Sequence, residues 1–332
     1  MRKDKGLNGD LDRLPMLTIT GDELIAFINN DEAIRPGGKR GPGLFAYLRS
    51  LQCKTVKDMQ ILQERSVCGG EAKPLPYMLA QMNLLLHGLK SPRITYGNSL
   101  AVKLSEIGNK DRVDIVLTNP PFGGEEEPGI RGNFPADKQT SETALLFLQL
   151  IMRKLKKPGT DAPKGGRAAV VVPNGTLFGD GVCARIKHEL LTEFNLHTIV
   201  RLPNGVFAPY TSIPTNLLFF DRSGPTKEIW YYEQPLPEGR KQYTKTQPIQ
   251  FEEFAACLAW WKKRKENDRA WKVPAAELLA SGCNLDRKNP RAKEDITHLP
   301  PEQLAASILQ KEQRIAEIMG KIKQLLADGP KP

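Results

Sequence analysis

Asn119-Pro120-Pro121-Phe122 follows directly on the run Val113-Asp114-Ile115-Val116-Leu117-Thr118, and these residue types suit the handling of an exocyclic amine. The run reads as a buried parallel strand with Asn119 at its carboxyl end, where open α/β sheets bind ligands. Two consecutive prolines cannot continue a strand and hold the backbone extended, so a carbonyl and the Asn side chain can face a cleft. An amine such as adenine N6 is a poor nucleophile because its lone pair is delocalised into the ring. A site draws that lone pair out by accepting hydrogen bonds from both N–H groups, and the Asn119 side-chain oxygen and the Pro120 carbonyl are acceptors of the right kind. Phe122 offers an aromatic face to a base flipped out of a duplex. Attack on a sulfonium methyl then needs alignment more than a strong base. The plainer alternative is a proline turn that merely ends a strand.

The surrounding elements alternate as a doubly wound sheet requires. Leu75 to Leu86 is an apolar helical stretch stopped at His87-Gly88, and Arg93 to Tyr96 is a short strand running into Gly97-Asn98. A helix is expected over Thr143 to Leu155, a strand over Arg167 to Val172, a helix over Ala184 to Phe194, and strands over His197 to Leu202 and Asn216 to Asp221. This alternation predicts a mostly parallel sheet with a late hairpin at its edge.

Composition restricts the setting. The 332 residues allow about two domains, 40% hydrophobic content is enough for a core, and a net charge of +10 favours a polyanionic partner. Five cysteines without C-x-x-C spacing and only four histidines support neither a zinc site nor a disulfide framework. No apolar stretch approaches membrane-spanning length and no signal sequence is evident, so the cytoplasm is the expected compartment.

The flanks read differently. Residues 1–52 hold short helical fragments broken by the loop Arg35-Pro36-Gly37-Gly38-Lys39-Arg40-Gly41-Pro42-Gly43. Residues 53–222 form the expected catalytic core, and 223–332 a mixed region in which Trp230, Tyr231, Tyr232, Trp260 and Trp261 stand near Lys262-Lys263-Arg264-Lys265. Those aromatics either pack on one another below solvated lysines or touch nucleic acid. From Pro301 to Asp328, Ala305, Ile308, Ile315, Met319, Ile322 and Leu326 form a seam at three- and four-residue spacing, interrupted by Glu312. Such a helix docks on a partner or packs on its own domain.

Several blocks together resemble the modification subunit of type I restriction-modification systems, an N6-adenine DNA methyltransferase family. They are Gly69 to Tyr77 with Gln81 to Gly88, Gly97-Asn98-Ser99-Leu100, Asn119 to Gly124, Ala168 to Pro173, Leu202 to Phe207 and Thr211 to Asp221. The resemblance implies a Rossmann-like, S-adenosylmethionine-dependent methyltransferase sheet with flanking helical segments. It also implies S-adenosyl-L-methionine as cofactor, double-stranded DNA as substrate, and a specificity subunit and a restriction subunit as partners. Carried over, Glu71 accepts hydrogen bonds from the cofactor's ribose, Asn98 contacts its adenine or the methyl-transfer region, and Asn119, Pro120, Pro121 and Phe122 are catalytic. As plain residues, Glu71 is a surface carboxylate before a helix and Asn98 a turn former.

The family also begins its catalytic fold with a strand ending in a motif of the type Asp-Pro-Ala-Cys-Gly-Thr-Gly, preceded by Phe-Tyr-Thr-Pro, and neither string is present. The glycines at 37–43 do not substitute for it, because no strand leads into them. Lys5 to Pro15 and Gly21 to Leu51 resemble parts of the family's helical N-terminal domain, joined near Leu17-Thr18-Ile19 and Leu51-Gln52-Cys53. The sheet is therefore expected to be incomplete at its N-terminal end. Two readings stay open: an adenine methyltransferase, or an impaired relative that keeps the fold and partner surface without binding cofactor.

Overall fold

The computed structural model describes residues 55–86, 88–159, 163–291 and 301–327. The readings made on residues 1–54, including the glycine-rich run and both junctions, and on His87 lie outside the described residues. Chain contacts divide the protein into a unit ending at Pro290 and a second from Arg291 onward.

In the first unit, α1 (Val56–Arg65) leads to β1 (Cys68–Glu71), α2 (Pro74–Leu86) and β2 (Arg93–Tyr96). β1 and β2 pair in parallel as a two-stranded sheet, with Glu71 opposite Tyr96. Buried Ile61, Leu62 and Leu89 are the small core of this part. Gln63 fastens α1 to the turn before β2, donating from Nε2 to the Gly88 carbonyl at 2.9 Å and accepting from the Lys90 amide at 2.6 Å.

Then come β3 (Ile115–Thr118), the single turn α3 (Pro128–Arg131), α4 (Thr143–Lys154), β4 (Arg167–Pro173), α5 (Gly175–Phe178), α6 (Val182–Glu193), β5 (Asn195–Arg201), β6 (Thr215–Asp221) and β7 (Glu228–Glu233). α7 (Ala255–Lys262), β8 (Ala270–Pro274) and α8 (Ala275–Ala280) complete the unit. Six strands form one sheet in the order β3-β4-β6-β5-β7-β8. Its main core is built by the apolar face of α4, α6 and the inward residues of β4 to β8, among them Leu148, Ile186, Leu190, Ile199, Leu218 and Tyr231. In β4 the buried positions alternate, Ala168, Val170 and Val172, as a strand covered more fully on one face requires.

Two expectations need correction. The sheet is not mostly parallel: β3–β4 and β5–β7 pair in parallel, but β4–β6, β5–β6 and β7–β8 are antiparallel. β6 follows β5 through residues 202–214, which contain no helix; without a crossover helix the chain returns beside β5 in the opposite direction and wedges between β5 and β4. β3, read as a buried strand, is parallel but only half-buried along its length, because among the described residues β4 is its one neighbour in the sheet.

The aromatics of residues 230–261 pack on one another. Tyr231 stacks on Trp271 with centroids 5.3 Å apart, Trp260 lies against Trp230 and Tyr232, and Trp261 meets Phe219 edge-on at 4.7 Å. Arg264 sits 4.4 Å over the Trp261 ring, so this cation covers the aromatic face. The second unit contains α9 (Pro301–Ala327). Its Leu304, Ile308, Leu309, Ile315, Ile318, Met319 and Ile322 are all exposed. Among the described residues no helix is long and apolar enough to cross a membrane, and no cluster of His, Cys, Asp and Glu could hold a metal ion.

Candidate active site

The carboxyl ends of three parallel strands carry the residues singled out from the sequence. Glu71 closes β1, Asn98 stands two residues beyond β2, and Asn119 is the first residue after β3. The Gly97 amide donates to the Glu71 carbonyl at 2.9 Å, which brings the ends of β1 and β2 together. Gly97 takes φ +148°, a backbone conformation that side chains rarely adopt. One Glu71 carboxylate oxygen accepts the Lys73 amide at 2.8 Å.

Asn98 serves two local purposes. Its Oδ1 accepts the Leu100 amide at 2.9 Å, capping the turn Ser99–Ala101, while Nδ2 reaches Glu126 Oε2 at 3.5 Å. That turn is anchored from below, because Leu100, Leu104 and Ile107 share a core with Phe134, Leu146 and Leu150.

The loop after β3 is held at both ends. Pro120 is buried while Asn119 is exposed, so the turn is fixed through its ring and the amide head is left accessible. Farther on, the Glu126 amide donates to Ser141 O at 2.8 Å, and the Glu126 carboxylate accepts from the Thr143 hydroxyl at 3.2 Å. The Thr143 amide in turn donates to Gly124 O at 3.3 Å, so residues 124–126 are pinned to the start of α4. Glu126 thereby links three elements: the β2 end through Asn98, the β3 loop, and α4.

Phe122 is half-buried and meets Phe207 edge-on, with ring centroids 5.0 Å apart. Phe207 comes from the loop between β5 and β6, whose Gly205 has φ +80° and lies so close to residue 243 that an added Cβ would stand 2.2 Å from its carbonyl oxygen. The Tyr243 amide donates to Asn204 O at 3.0 Å, and the Tyr243 hydroxyl donates to Glu253. Burial and that hydrogen bond push the Tyr243 hydroxyl well above its ordinary range. Next in the loop, Tyr210 is 93% exposed and Ile213 46%.

Thus the structure brings Glu71 and Asn98 together at one strand pair and links Asn98 to the loop following Asn119 to Phe122. Sequence reasoning missed Glu126 and Phe207. Phe207 stands in a block already singled out, but only the return of β6 into the sheet brings its loop to Phe122. Glu126 is one of three consecutive glutamates, and nothing local marks it out from Glu125 and Glu127.

Comparison with known proteins is consistent along the chain. Residues 46–298 match the N-6 DNA methylase family. The EcoEI type I restriction enzyme methylase subunit of Escherichia coli is 48% identical over 290 residues, covering 85% of this chain and 57% of that protein. The EcoKI methylase subunit of E. coli K12 is 36% identical over 192 residues, 54% of this chain and 34% of that protein. Among solved structures, a modification subunit assigned to a type I restriction enzyme of Vibrio vulnificus YJ016 superposes with a TM-score of 0.73 at 59% identity, covering 84% of this chain and 61% of that one. The EcoKI M protein superposes with a TM-score of 0.60 at 25% identity, covering 82% of this chain and 62% of its own. The chain therefore spans less than two thirds of the length of these relatives. With the match running through every element of the sheet, the chain belongs to the N-6 DNA methylase family.

Proposed function

We propose that this chain is the amine-activating part of a type I modification subunit and directs methylation to N6 of an adenine flipped out of double-stranded DNA. The observation that carries the reading is Asn119, exposed at the carboxyl end of parallel β3, immediately before the buried Pro120. In this reading the Asn119 side-chain oxygen and the Pro120 carbonyl accept the two amine hydrogens, so electron density builds on N6 in a direction fixed by the strand. Phe122 stacks on the extruded base, and Phe207, edge-on to Phe122, limits how far that ring can turn.

S-Adenosyl-L-methionine is the methyl donor this reading requires, and the described residues fit it only in part. Glu71 and Asn98 offer a carboxylate and an amide at neighbouring strand ends, suited to ribose hydroxyls and an adenine edge. For the methionine end, the described residues provide no strand leading into a glycine-rich turn of the family's type that would let backbone approach a ligand closely. No step is therefore derived through the cofactor.

DNA, the specificity subunit and the restriction subunit are the partners proposed with this function, and the apolar side chains exposed on α9 support docking of that helix on the specificity subunit. Transfer of an isotopically labelled methyl group to DNA, with a matching specificity subunit present, tests the reading. Label should enter adenine N6 with the native chain and not with Asn119→Ala; equal incorporation by both would remove Asn119 from the chemistry.

A further inference from the structure

The strap that runs from β7 to α7 carries charges that the fold does not use. Residues 238–250 hold Arg240, Lys241 and Lys245 against a single acid, Glu238. Among the described residues none of the three cations forms an ion pair, and Arg240 Nη1 is buried without a hydrogen-bond partner. A buried guanidinium nitrogen left unpaired costs free energy that a ligand able to accept from it recovers. The guanidinium stands over the Tyr243 ring, its carbon 5.9 Å from the centroid, a contact that leaves the forked donors unspent.

The backbone presents these cations on fixed turns. Pro237 to Arg240 closes as one turn, the Arg240 amide donating to the Pro237 carbonyl at 3.1 Å, with Gly239 at φ +78°. A second turn joins Thr244 and Gln247, which exchange two backbone bonds of 3.2 Å and leave Lys245 exposed at the tip. Between the turns Tyr243 is fully buried. Its hydroxyl donates to Glu253 Oε2, while Glu253 Oε1 accepts the Gln250 amide at 2.9 Å, so both oxygens of that carboxylate are engaged in supporting the strap.

The buried anchor of the strap is also its contact with the candidate site. The Tyr243 amide donates to Asn204 O, and the Tyr243 carbonyl oxygen lies against Gly205. Gly205 precedes Phe207 by two residues, a Cα separation of at most about 7.6 Å, and Phe207 meets Phe122 edge-on. A base extruded onto Phe122 stays joined to its sugar and flanking phosphates, which brings those phosphates to the rim made by the loops beside that ring.

We propose that Arg240 binds a DNA backbone phosphate beside the nucleotide whose base meets Phe122, with Lys241 and Lys245 on neighbouring phosphates; the identity of that base rests on the proposed function. A guanidinium suits phosphate because its donors pair two oxygens in one plane, and the lysines add attraction that is independent of sequence. Phosphate contacts fix register and orientation without reading bases, so the strap is a positioning surface that holds the strand while the base is out of the stack. The competing occupant is an acidic protein surface. Against it, no exposed residue from Glu238 to Gln247 carries an apolar side chain, whereas protein interfaces have an apolar centre.

The test is fluorescence anisotropy of the full chain on a short fluorescein-labelled DNA duplex with one unpaired adenine, titrated across a range of salt. Arg240→Gln should lower affinity by on the order of tenfold and make the plot of log affinity against log salt shallower by about one. Lys241→Gln with Lys245→Gln, both at exposed positions, should make it shallower by about two with an unchanged melting temperature, which keeps the proposal testable should Arg240→Gln disturb its turn. Arg240→Lys should hold the native slope with part of the affinity lost. Uncharged methylphosphonates in place of the phosphates flanking the unpaired adenine should weaken binding by the native chain and cost Arg240→Gln far less. Lys321→Gln with Lys323→Gln, an equal loss of charge on α9, should match the native chain. Unchanged slopes in both strap variants, an equal loss from the α9 pair, or an equal methylphosphonate cost in the native and Arg240→Gln chains would each overturn the proposal. So would absence of binding by the native chain, or strap variants that keep DNA affinity and lose a specificity subunit, which would assign the strap to a protein partner. Asn119→Ala should bind the duplex as the native chain does, so the strap and the amine-accepting role of Asn119 can fail separately.

Discussion

Replacing Gly205 by Ala tests whether the β5–β6 loop is the rigid support that holds Phe207 against Phe122. Two costs combine at this position. Its φ of +80° is a conformation an L side chain adopts at about 1–2 kcal/mol. The added Cβ would also lie 2.2 Å from the residue 243 carbonyl oxygen and 3.0 Å from the adjoining carbonyl carbon and amide nitrogen, so the loop must move by roughly an ångström, an overpacking cost of about 1–3 kcal/mol. The expected loss is about 2–5 kcal/mol, and at about 2–4 °C per kcal/mol for a unit of this size the melting temperature should fall by roughly 5–20 °C. Because the obstructing atoms are backbone, Tyr243→Ala should not restore stability. Shifting the loop also carries Phe207 away from Phe122, so methyl transfer measured well below the lowered melting temperature should fall even where the protein is folded. A melting temperature within two degrees of the native value, or full recovery on adding Tyr243→Ala, would refute the argument from backbone contact.

Asn119→Ala should lower methyl transfer by on the order of a hundredfold or more with an unchanged melting temperature, since the side chain is exposed; unaltered turnover contradicts its role as acceptor. Calorimetry on the isolated chain should register weak or no S-adenosylmethionine binding, and micromolar affinity would mean that a complete cradle exists without a partner. Removing residues 301–332 should abolish co-purification with a specificity subunit and leave the thermal stability of the first unit nearly unchanged; a collapse in stability would assign α9 to the core. Burial, with Arg264 as the next contributor, holds His197 at about 4, below its ordinary 6.5. The folded state thus refuses a proton that the unfolded chain accepts, so this contribution is complete above about pH 6.5 and falls by on the order of 3 kcal/mol as pH drops to about 4. Urea unfolding across that window should show a shallower pH dependence for His197→Asn, and identical slopes would refute the assignment.

What was legible in the sequence is what local chemistry dictates. The helices at 74–86 and 143–154 and the strands around 93–96, 167–173 and 215–221 lie within a residue or two of their expected limits, because apolar spacing and Gly or Pro stops are properties of the local chain. The tetrapeptide proposed to bind the amine was singled out for the same reason: strand, two prolines and an aromatic are contiguous. Strand direction was not, since β6 enters the sheet antiparallel through pairings with β4 and β5 that no local pattern encodes. The Phe122–Phe207 contact depends on that pairing and was hidden with it. α2 was recognisable as an apolar helix, but an apolar helix is ordinarily a buried one, and its exposure follows only from what stands beside it.

This uneven packing bears on how the two halves of the site can work. The half proposed to hold the amine rests on more deeply set elements: β3 is paired to β4, α4 buries nine of its twelve residues, and the loop from Gly124 to Glu126 is fixed to α4 by backbone and side-chain hydrogen bonds. The half proposed to hold the nucleoside is mixed: β1 and α2 bury almost nothing, whereas Asn98 caps a turn whose Leu100 is buried with Leu146 and Leu150 of α4. Whatever orders β1 therefore sets the position of Glu71, while Asn119 keeps its place by virtue of β3, β4 and α4. In the proposed function, acceptance of the amine rests on the packed elements and recognition of the ribose on the exposed strand β1. Base binding and cofactor binding should accordingly be separable, with substitutions that loosen β1 weakening the second far more than the first.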